Sequence, residues 1–440
     1  MLEHNLKTLS NGLPILTIPM PGVKSVTSLV LTNTGSRYEQ PEQAGIAHFF
    51  EHIVFKGTAK YPTPQDLAAT IDTIGAEFNA FTSKEYTGYY VKADSRKLGV
   101  ALDVLSDMLL QPAVRQEDID REKGVIIEEI NMYRDMPMHH IANLFEQMFY
   151  AEYGLQHDII GTKETVGAVT SQAFRDFLAA WYGMPNMLLV LAGDAEVLSS
   201  STLHTEIEQC FSKPVADERV GEKVAVSGQL SERAISEKKM HLEVKQTDQA
   251  HLILGWPGLA RDTQQKQILS LLSVILGGNM SSRLFSEVRE KRGLCYYVRS
   301  DVDYYRETGM VGASAGVDPQ RVEEAISVIL EEFADIASGK RAVTADELQR
   351  AKEYVRGTMT LSFEDSRSVA QFFGMQSLLL DRVETPEEIM AKIKAVSLEQ
   401  VQELAGQLFG AGAGSPKLGV IGPFEGKQEQ FGGLVTTQKD

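Results

Sequence analysis

The sequence predicts an α+β protein made of two homologous domains, each a mixed, mainly antiparallel sheet covered by helices. Three observations predict it. The chain has 440 residues, too many for one ordinary core and enough for two domains of about 200 residues. Strand-like segments open each half and amphipathic helices follow them, the pattern of a sheet with helices laid on it. Finally, blocks of the second half repeat blocks of the first in the same order.

The elements can be taken in chain order. Asn11-Gly12 is a hairpin signal before the strand Ile15–Ile18, and Ser28–Leu31 reads as the next strand. Asp94 then heads an amphipathic helix with Leu98, Leu102, Leu105 and Leu109 on one stripe. Its repeat is Asp318 followed by Val322, Ile326, Ile329 and Phe333 at the same spacings. Next, Val114-x-x-Glu-Asp-Ile-x-Arg-Glu-Lys123 opens a helix over Gln116–Asp135, closed by Pro137, and returns as Val343-x-x-Asp-Glu-Leu-x-Arg-Ala-Lys352. Thr170 caps a helix with Phe174 and Phe177 that leads to the strand Met187–Leu191. Ser397 caps one with Val401 and Leu404 that leads to Leu418–Ile421. Further strands are expected at His241–Val244 and His251–Leu254. Residues 213–239 are polar, charged and aperiodic, so the expected organisation is a domain over 1–212, a linker over 213–239 and a domain over 240–440.

Composition narrows the function. The chain is 43% hydrophobic and 23% charged, as globular proteins are, and its net charge of −17 excludes the basic footprint that nucleic acid requires. No apolar run is long enough to cross a membrane, and no secretory leader is expected at the N-terminus. Two cysteines make no disulfide framework, so a reducing cytoplasmic compartment is the simplest expectation.

The most informative segment is His48-Phe-Phe-Glu51-His52. On a helix, residues i and i+4 share a face, so two imidazoles can clamp one Zn²⁺, and Glu51 beside them can take a proton from attacking water. The order H-x-x-E-H reverses the commoner zincin motif. A catalytic zinc needs a third ligand. On the helix Gln116–Asp135, at about 100° per residue, Val125, Ile126, Met132 and Tyr133 fall within about 60° of Glu129, and Glu122 lies close to the same line. Both acids therefore face an apolar stripe, which is costly unless they are paired or bind a metal. Glu129 is the expected ligand and Glu122 the group that orients it or a histidine; pairing with Lys or Arg is the alternative. Glu128 points away, as a solvated carboxylate. In the repeat, Ala351 and Thr358 stand at the positions of Glu122 and Glu129, and no H-x-x-E-H is present. The fold is duplicated and the metal site is not.

These residues resemble the pitrilysin/insulinase family of inverzincin zinc metallopeptidases, especially short members like the β subunit of mitochondrial processing peptidase. The resemblance is carried by Gly35-Ser-Arg-Tyr-Glu39, Gly45 through His52, Phe55-Lys-Gly-Thr58, Gly75 through Thr82, Glu122 through Glu129, and Ser281 through Tyr296. It implies a duplicated metallopeptidase fold and a zinc endopeptidase with one Zn²⁺ per chain. His48, His52 and Glu129 are implied as ligands and Glu51 as the base. It further implies that Arg289 and Tyr296, contributed by the second homologous unit, act at the active site. Asn79, Ala80 and Phe81 are implied to lie on an edge strand to which a peptide adds as a further strand. Relatives with four homologous units enclose their peptides in a clamshell. This chain has two units and carries both residue sets, so a homodimer is favoured over a heterodimer with a homologous partner subunit; a non-catalytic subunit is the remaining alternative. Cys295 departs from the small residue usual there, and a buried side chain is expected. His157 falls where relatives often carry Pro-Tyr-Gly, which leaves the role of that loop open.

Overall fold

The computed structural model describes residues 2–151, 154–212 and 235–436. Of the expected linker, residues 213–234 lie outside the described residues. The chain forms two compact units, each assembled from separated segments. The first comprises Met1–Asn131, His157–Gly228 and Met359–Pro386; the second comprises Met132–Gln156, Gln229–Thr358 and Glu387–Asp440.

In the first unit, six strands lie in the order β1-β2-β6-β3-β5-β4. They are β1 (Asn5–Thr8), β2 (Pro14–Met20), β3 (Ser25–Thr32), β4 (Glu77–Thr82), β5 (Thr87–Asp94) and β6 (Met187–Asp194). The β2–β6 pair is parallel and the other pairs are antiparallel. The run Met-Leu-Leu-Val-Leu-Ala of β6 is apolar at every position because both faces of this central strand are covered, and all of it is buried. One face packs against the helix Ser366–Leu380, whose Val369, Ala370 and Phe373 meet Leu16, Leu29, Leu31 and Val190. The other face carries the helices Ile46–Ile53 and Leu98–Leu110.

The second unit has five strands in the order β7-β11-β8-β10-β9. They are β7 (Met240–Val244), β8 (Ala250–Pro257), β9 (Cys295–Tyr304), β10 (Gly309–Val317) and β11 (Lys417–Gly422). The helix Pro137–Phe149 covers one face, with Ile141, Phe145 and Phe149 in the same cluster as Ile253, Met310 and Ile421. The opposite face carries the helices Lys266–Gly277, Val322–Ser338 and Leu398–Phe409, where Trp256 meets Phe333 with ring centroids 4.7 Å apart.

The duplication is visible element by element. Strand β5 runs through the 3₁₀ turn Ser95–Lys97 into Leu98–Leu110, as β10 runs through Pro319–Arg321 into Val322–Ser338. Asp94 and Asp318 accept hydrogen bonds from the amides of Arg96 and Gln320, so each caps the short 3₁₀ turn and not the α-helix directly. The hydroxyls of Thr170 and Ser397 cap the matching helices by accepting from Ala173 and Gln400. The repeated helices Pro137–Phe149 and Ser366–Leu380 each cover the sheet formed mainly by the other half of the sequence.

Candidate metal centre

The helix Ile46–Ile53 carries the two histidines, and the chain fixes its start closely. Gly45 has φ +94°, and a Cβ there would sit 2.6 Å from the carbonyl oxygen of Ile160, so only glycine fits. Glycine offers no capping side chain. The Glu39 carboxyl takes that role, accepting from the amides of Gly45 at 2.7 Å and Ala47 at 2.8 Å. Burial pushes the Glu39 carboxyl up to about 8, against the pull of those amides and of Lys84. The helix buries Ile46, Phe49, Phe50 and Ile53, with Phe50 against Tyr182 at a centroid distance of 5.1 Å. His48, Glu51 and His52 are left on the less buried side.

The second helix, Gln116–Asp135, is held by buried Ile119, Ile126 and Ile130. It brings Oε2 of Glu129 to 3.8 Å from Nε2 of His48 and 3.5 Å from Nε2 of His52. One ligand atom from each of the three residues lies within 4.8 Å of the others, the one such group among the described residues. Ligands of a tetrahedral zinc with bonds of about 2.0–2.1 Å are separated by roughly 3.4 Å, so small side-chain adjustments bring this set to zinc geometry. Nδ1 of His52 is 3.0 Å from Oε1 of Glu122, whose other oxygen is 2.6 Å from Nζ of Lys56. Nδ1 of His48 is buried with no hydrogen-bond partner among the described residues.

The electrostatics favour a cation here. Burial and the neighbouring His52 push His48 down to about 4. Burial also opposes a charge on His52, but the Glu122 and Glu129 carboxylates outweigh it and hold that imidazole at about 9. Two imidazoles and the Glu129 carboxylate thus converge on one point, a nitrogen and oxygen donor set that suits a divalent ion. Glu128, one residue away, is exposed. Val125 is also half exposed, so the apolar stripe expected around Glu129 is only partly covered.

Glu51 lies beside this cluster, and burial raises its carboxyl above the usual range. Its Oε2 accepts a hydrogen bond of 2.6 Å from the Thr82 hydroxyl, at the end of β4. Strand β4 is last in its sheet, so among the described residues one of its edges has no neighbouring strand. Asn79 is exposed there, its side-chain oxygen accepting from the Ala80 amide at 2.9 Å. Ala80 is buried, and Phe81 lies against Tyr86 at 6.2 Å.

In the second unit, Arg289 sits in a π-helical stretch, Phe285–Lys291, with its guanidinium 4.9 Å from the Phe285 ring centroid and 5.7 Å from that of Tyr296. Tyr296 is 72% exposed, available to another molecule. Cys295 is half-buried, and burial pushes its thiol up to about 11, which makes it unreactive at neutral pH. The His157 carbonyl accepts from the buried Lys84 ammonium, so that loop is tied to the turn after β4.

The structure therefore gathers His48, His52, Glu129, Glu51 and Glu122 in one cluster, sets Asn79, Ala80 and Phe81 on the sheet edge, and pairs Arg289 with Tyr296. Sequence reasoning missed Thr82, Lys56 and Glu39. Each acts through a contact between distant segments, and no periodicity announces such a contact.

Comparison with known proteins assigns the class. Residues 15–163 match the family described as Insulinase (Peptidase family M16), and residues 168–355 match the Peptidase M16 inactive domain. The chain belongs to this insulinase family, peptidase family M16. It is similar to an uncharacterized zinc protease of Streptomyces coelicolor, with 34% identity over 96% of this chain and 90% of the relative. The uncharacterized zinc protease YmxG of Bacillus subtilis is 35% identical over 91% of this chain and 95% of its own length. Among solved structures, a protease from Helicobacter pylori shares the fold with a TM-score of 0.85 at 20% identity, covering 96% of this chain and all of its own. Among the described residues, no helix is long and apolar enough to cross a membrane.

Proposed function

We propose that the protein is a zinc-dependent endopeptidase with one Zn²⁺ per chain, held by His48, His52 and Glu129. The observation that carries this reading is the meeting of those three ligand atoms within 4.8 Å, with Glu51 beside them. The names of the similar relatives support it. When bound, zinc polarises a peptide carbonyl and acidifies water.

The chain's own residues supply the rest. An extended peptide pairs with the open edge of β4 near Asn79, Ala80 and Phe81, its main chain forming the hydrogen bonds. Glu51 accepts the proton of the attacking water and delivers it to the leaving amine. Tyr296 donates to the developing oxyanion and Arg289 holds a substrate carbonyl. In this reading two copies face each other as a homodimer, the facing copy completing each zinc site, and the peptide is enclosed between the copies. A content of two cysteines in 440 residues is compatible with a reducing cytoplasmic compartment.

The test is a peptide-library digest read by mass spectrometry, with and without a zinc chelator, on wild type and Glu51→Gln. Wild type should cleave only without chelator, and Glu51→Gln should keep its zinc and cleave nothing. Full activity in Glu51→Gln overturns the assignment of the base, and chelator-insensitive cleavage overturns the metal.

A further inference from the structure

We propose that Thr82 is a positioning residue, whose hydroxyl fixes the Glu51 carboxylate and ties it to strand β4; this rests on the reading of Glu51 as the base.

The bond is short and directional. Thr82 Oγ1 donates to Glu51 Oε2 at 2.6 Å, leaving Oε1 as the oxygen that can face attacking water. An unrestrained glutamate samples many rotamers, so a fixed donor shifts the population to one carboxylate position. Threonine suits the task because its branched Cβ restricts χ1.

Both ends of the bond are anchored to one framework. Thr82 pairs with Thr87 of β5 as the last residue of β4, and the Ser83 amide closes the turn on the Tyr86 carbonyl at 2.9 Å. That turn is clamped to the segment before the motif helix. The amides of Ser36 and Arg37 donate to the carbonyls of Ser83 and Lys84 at 3.2 and 3.0 Å, and Arg37 forms a buried ion pair with Glu85. The same segment carries Glu39, which caps the helix on which Glu51 stands. Side chains alternate along a strand, so Thr82 shares a face with buried Ala80 while Asn79 and Phe81 point the other way. A peptide added to the edge of β4 is thereby referenced to the base through one residue of that strand. Thr82 sets the register between bound main chain and Glu51, and it needs no contact with substrate.

The test uses the zinc-loaded full chain and a peptide that wild type cleaves, with Thr82→Val, Thr82→Ser and Glu51→Gln. Thr82→Val keeps the shape and removes the donor. Its kcat should fall on the order of tenfold to hundredfold, with KM and zinc affinity by chelator competition within about twofold of wild type. Thr82→Ser should recover kcat to within about threefold. A crystal structure of Thr82→Val should show the Glu51 carboxylate moved from its wild-type position. Wild-type kcat in Thr82→Val, a parallel loss of zinc affinity, or Thr82→Ser no better than Thr82→Val each overturn the proposal. The crystallographic result decides it independently of activity: a Glu51 carboxylate that stays in place overturns positioning. A Glu51→Gln variant that cleaves like wild type overturns the base assignment instead.

Discussion

Nδ1 of His52 lies 3.0 Å from Oε1 of Glu122, and the other oxygen of Glu122 lies 2.6 Å from Nζ of Lys56. The chain of contacts sets the histidine tautomer. A carboxylate at Nδ1 keeps the proton on that nitrogen, so that Nε2 is the one that gives up its proton when a metal binds. The lysine holds the carboxylate in place from the far side. Glu122→Gln sets an amide NH₂ against either the lysine ammonium or the protonated Nδ1, so one good contact is lost whichever way it turns. Zinc affinity should drop on the order of 10- to 100-fold in Glu122→Gln, and in the same direction but less in Lys56→Met. Competition with a chromogenic chelator measures both. An unchanged affinity in Glu122→Gln would confine this carboxylate to a structural role.

Adjacent glutamates on one helix separate ligand from bystander. Glu129 faces His48 and His52 at 3.8 and 3.5 Å, while Glu128 is exposed about 100° around the helix. Glu129→Gln replaces an anionic ligand with a weak neutral one and should lower zinc affinity by at least about a hundredfold. Glu128→Gln should leave zinc content and thermal midpoint unchanged within error. Metal analysis of the two purified variants, side by side, gives the answer. Equal zinc in both removes the carboxylate from the donor set.

These residues also mark how far a sequence can be read. His48, Glu51 and His52 are legible because helix geometry alone puts i and i+4 together. Glu129 is legible because an acid on an apolar stripe needs a reason to be there. The stripe does not reveal its own limits, however: Ile126 is fully covered, yet Val125 and Met132 are half exposed. Thr82 and Glu39 stand in segments whose local pattern is complete without Glu51 or the motif helix, so only tertiary structure gives them their partners. The helices Pro137–Phe149 and Ser366–Leu380 stand outside the elements expected from the sequence, and an apolar stripe would not have told where they pack. Amphipathicity says that a face will be buried and carries no address for the sheet that buries it.

Glu39 should leave a signature in the pH dependence of stability. Its carboxyl is raised from 4.5 to about 8 by burial, so between those values the folded chain holds a proton that the unfolded chain has released. For a group raised in the folded state, the stabilising contribution is complete below about 4.5, declines as pH rises toward 8, and is gone above it. Glu39→Gln is neutral throughout and keeps a carbonyl to accept one of the two amides. At pH 5 it should cost about 1 kcal/mol, and its stability should then fall less steeply than wild type up to pH 8. Denaturant midpoints of the zinc-free proteins across this range provide the comparison. Parallel profiles for the two proteins would mean that Glu39 does not titrate in the window.

The exchanged helices give the last prediction. Phe373 is fully buried with Leu29, Leu31 and Val190, on the face of the first sheet that the helix Ser366–Leu380 covers. Phe145 holds the mirrored place against Ile253 and Ile421 of the second sheet. Removing either ring leaves a cavity at the helix–sheet contact that a small shift does not close, so each alanine variant should lose about 3–5 kcal/mol. The informative readout is where the loss appears. Amide exchange in Phe373→Ala should quicken in β3 and β6 before β8 and β11, although residue 373 lies in the second half of the chain. Phe145→Ala should do the reverse, because local opening follows the core a side chain fills and not its place in the sequence. If each variant instead loosens the sheet of its own half first, the exchange is not how the protein packs in solution.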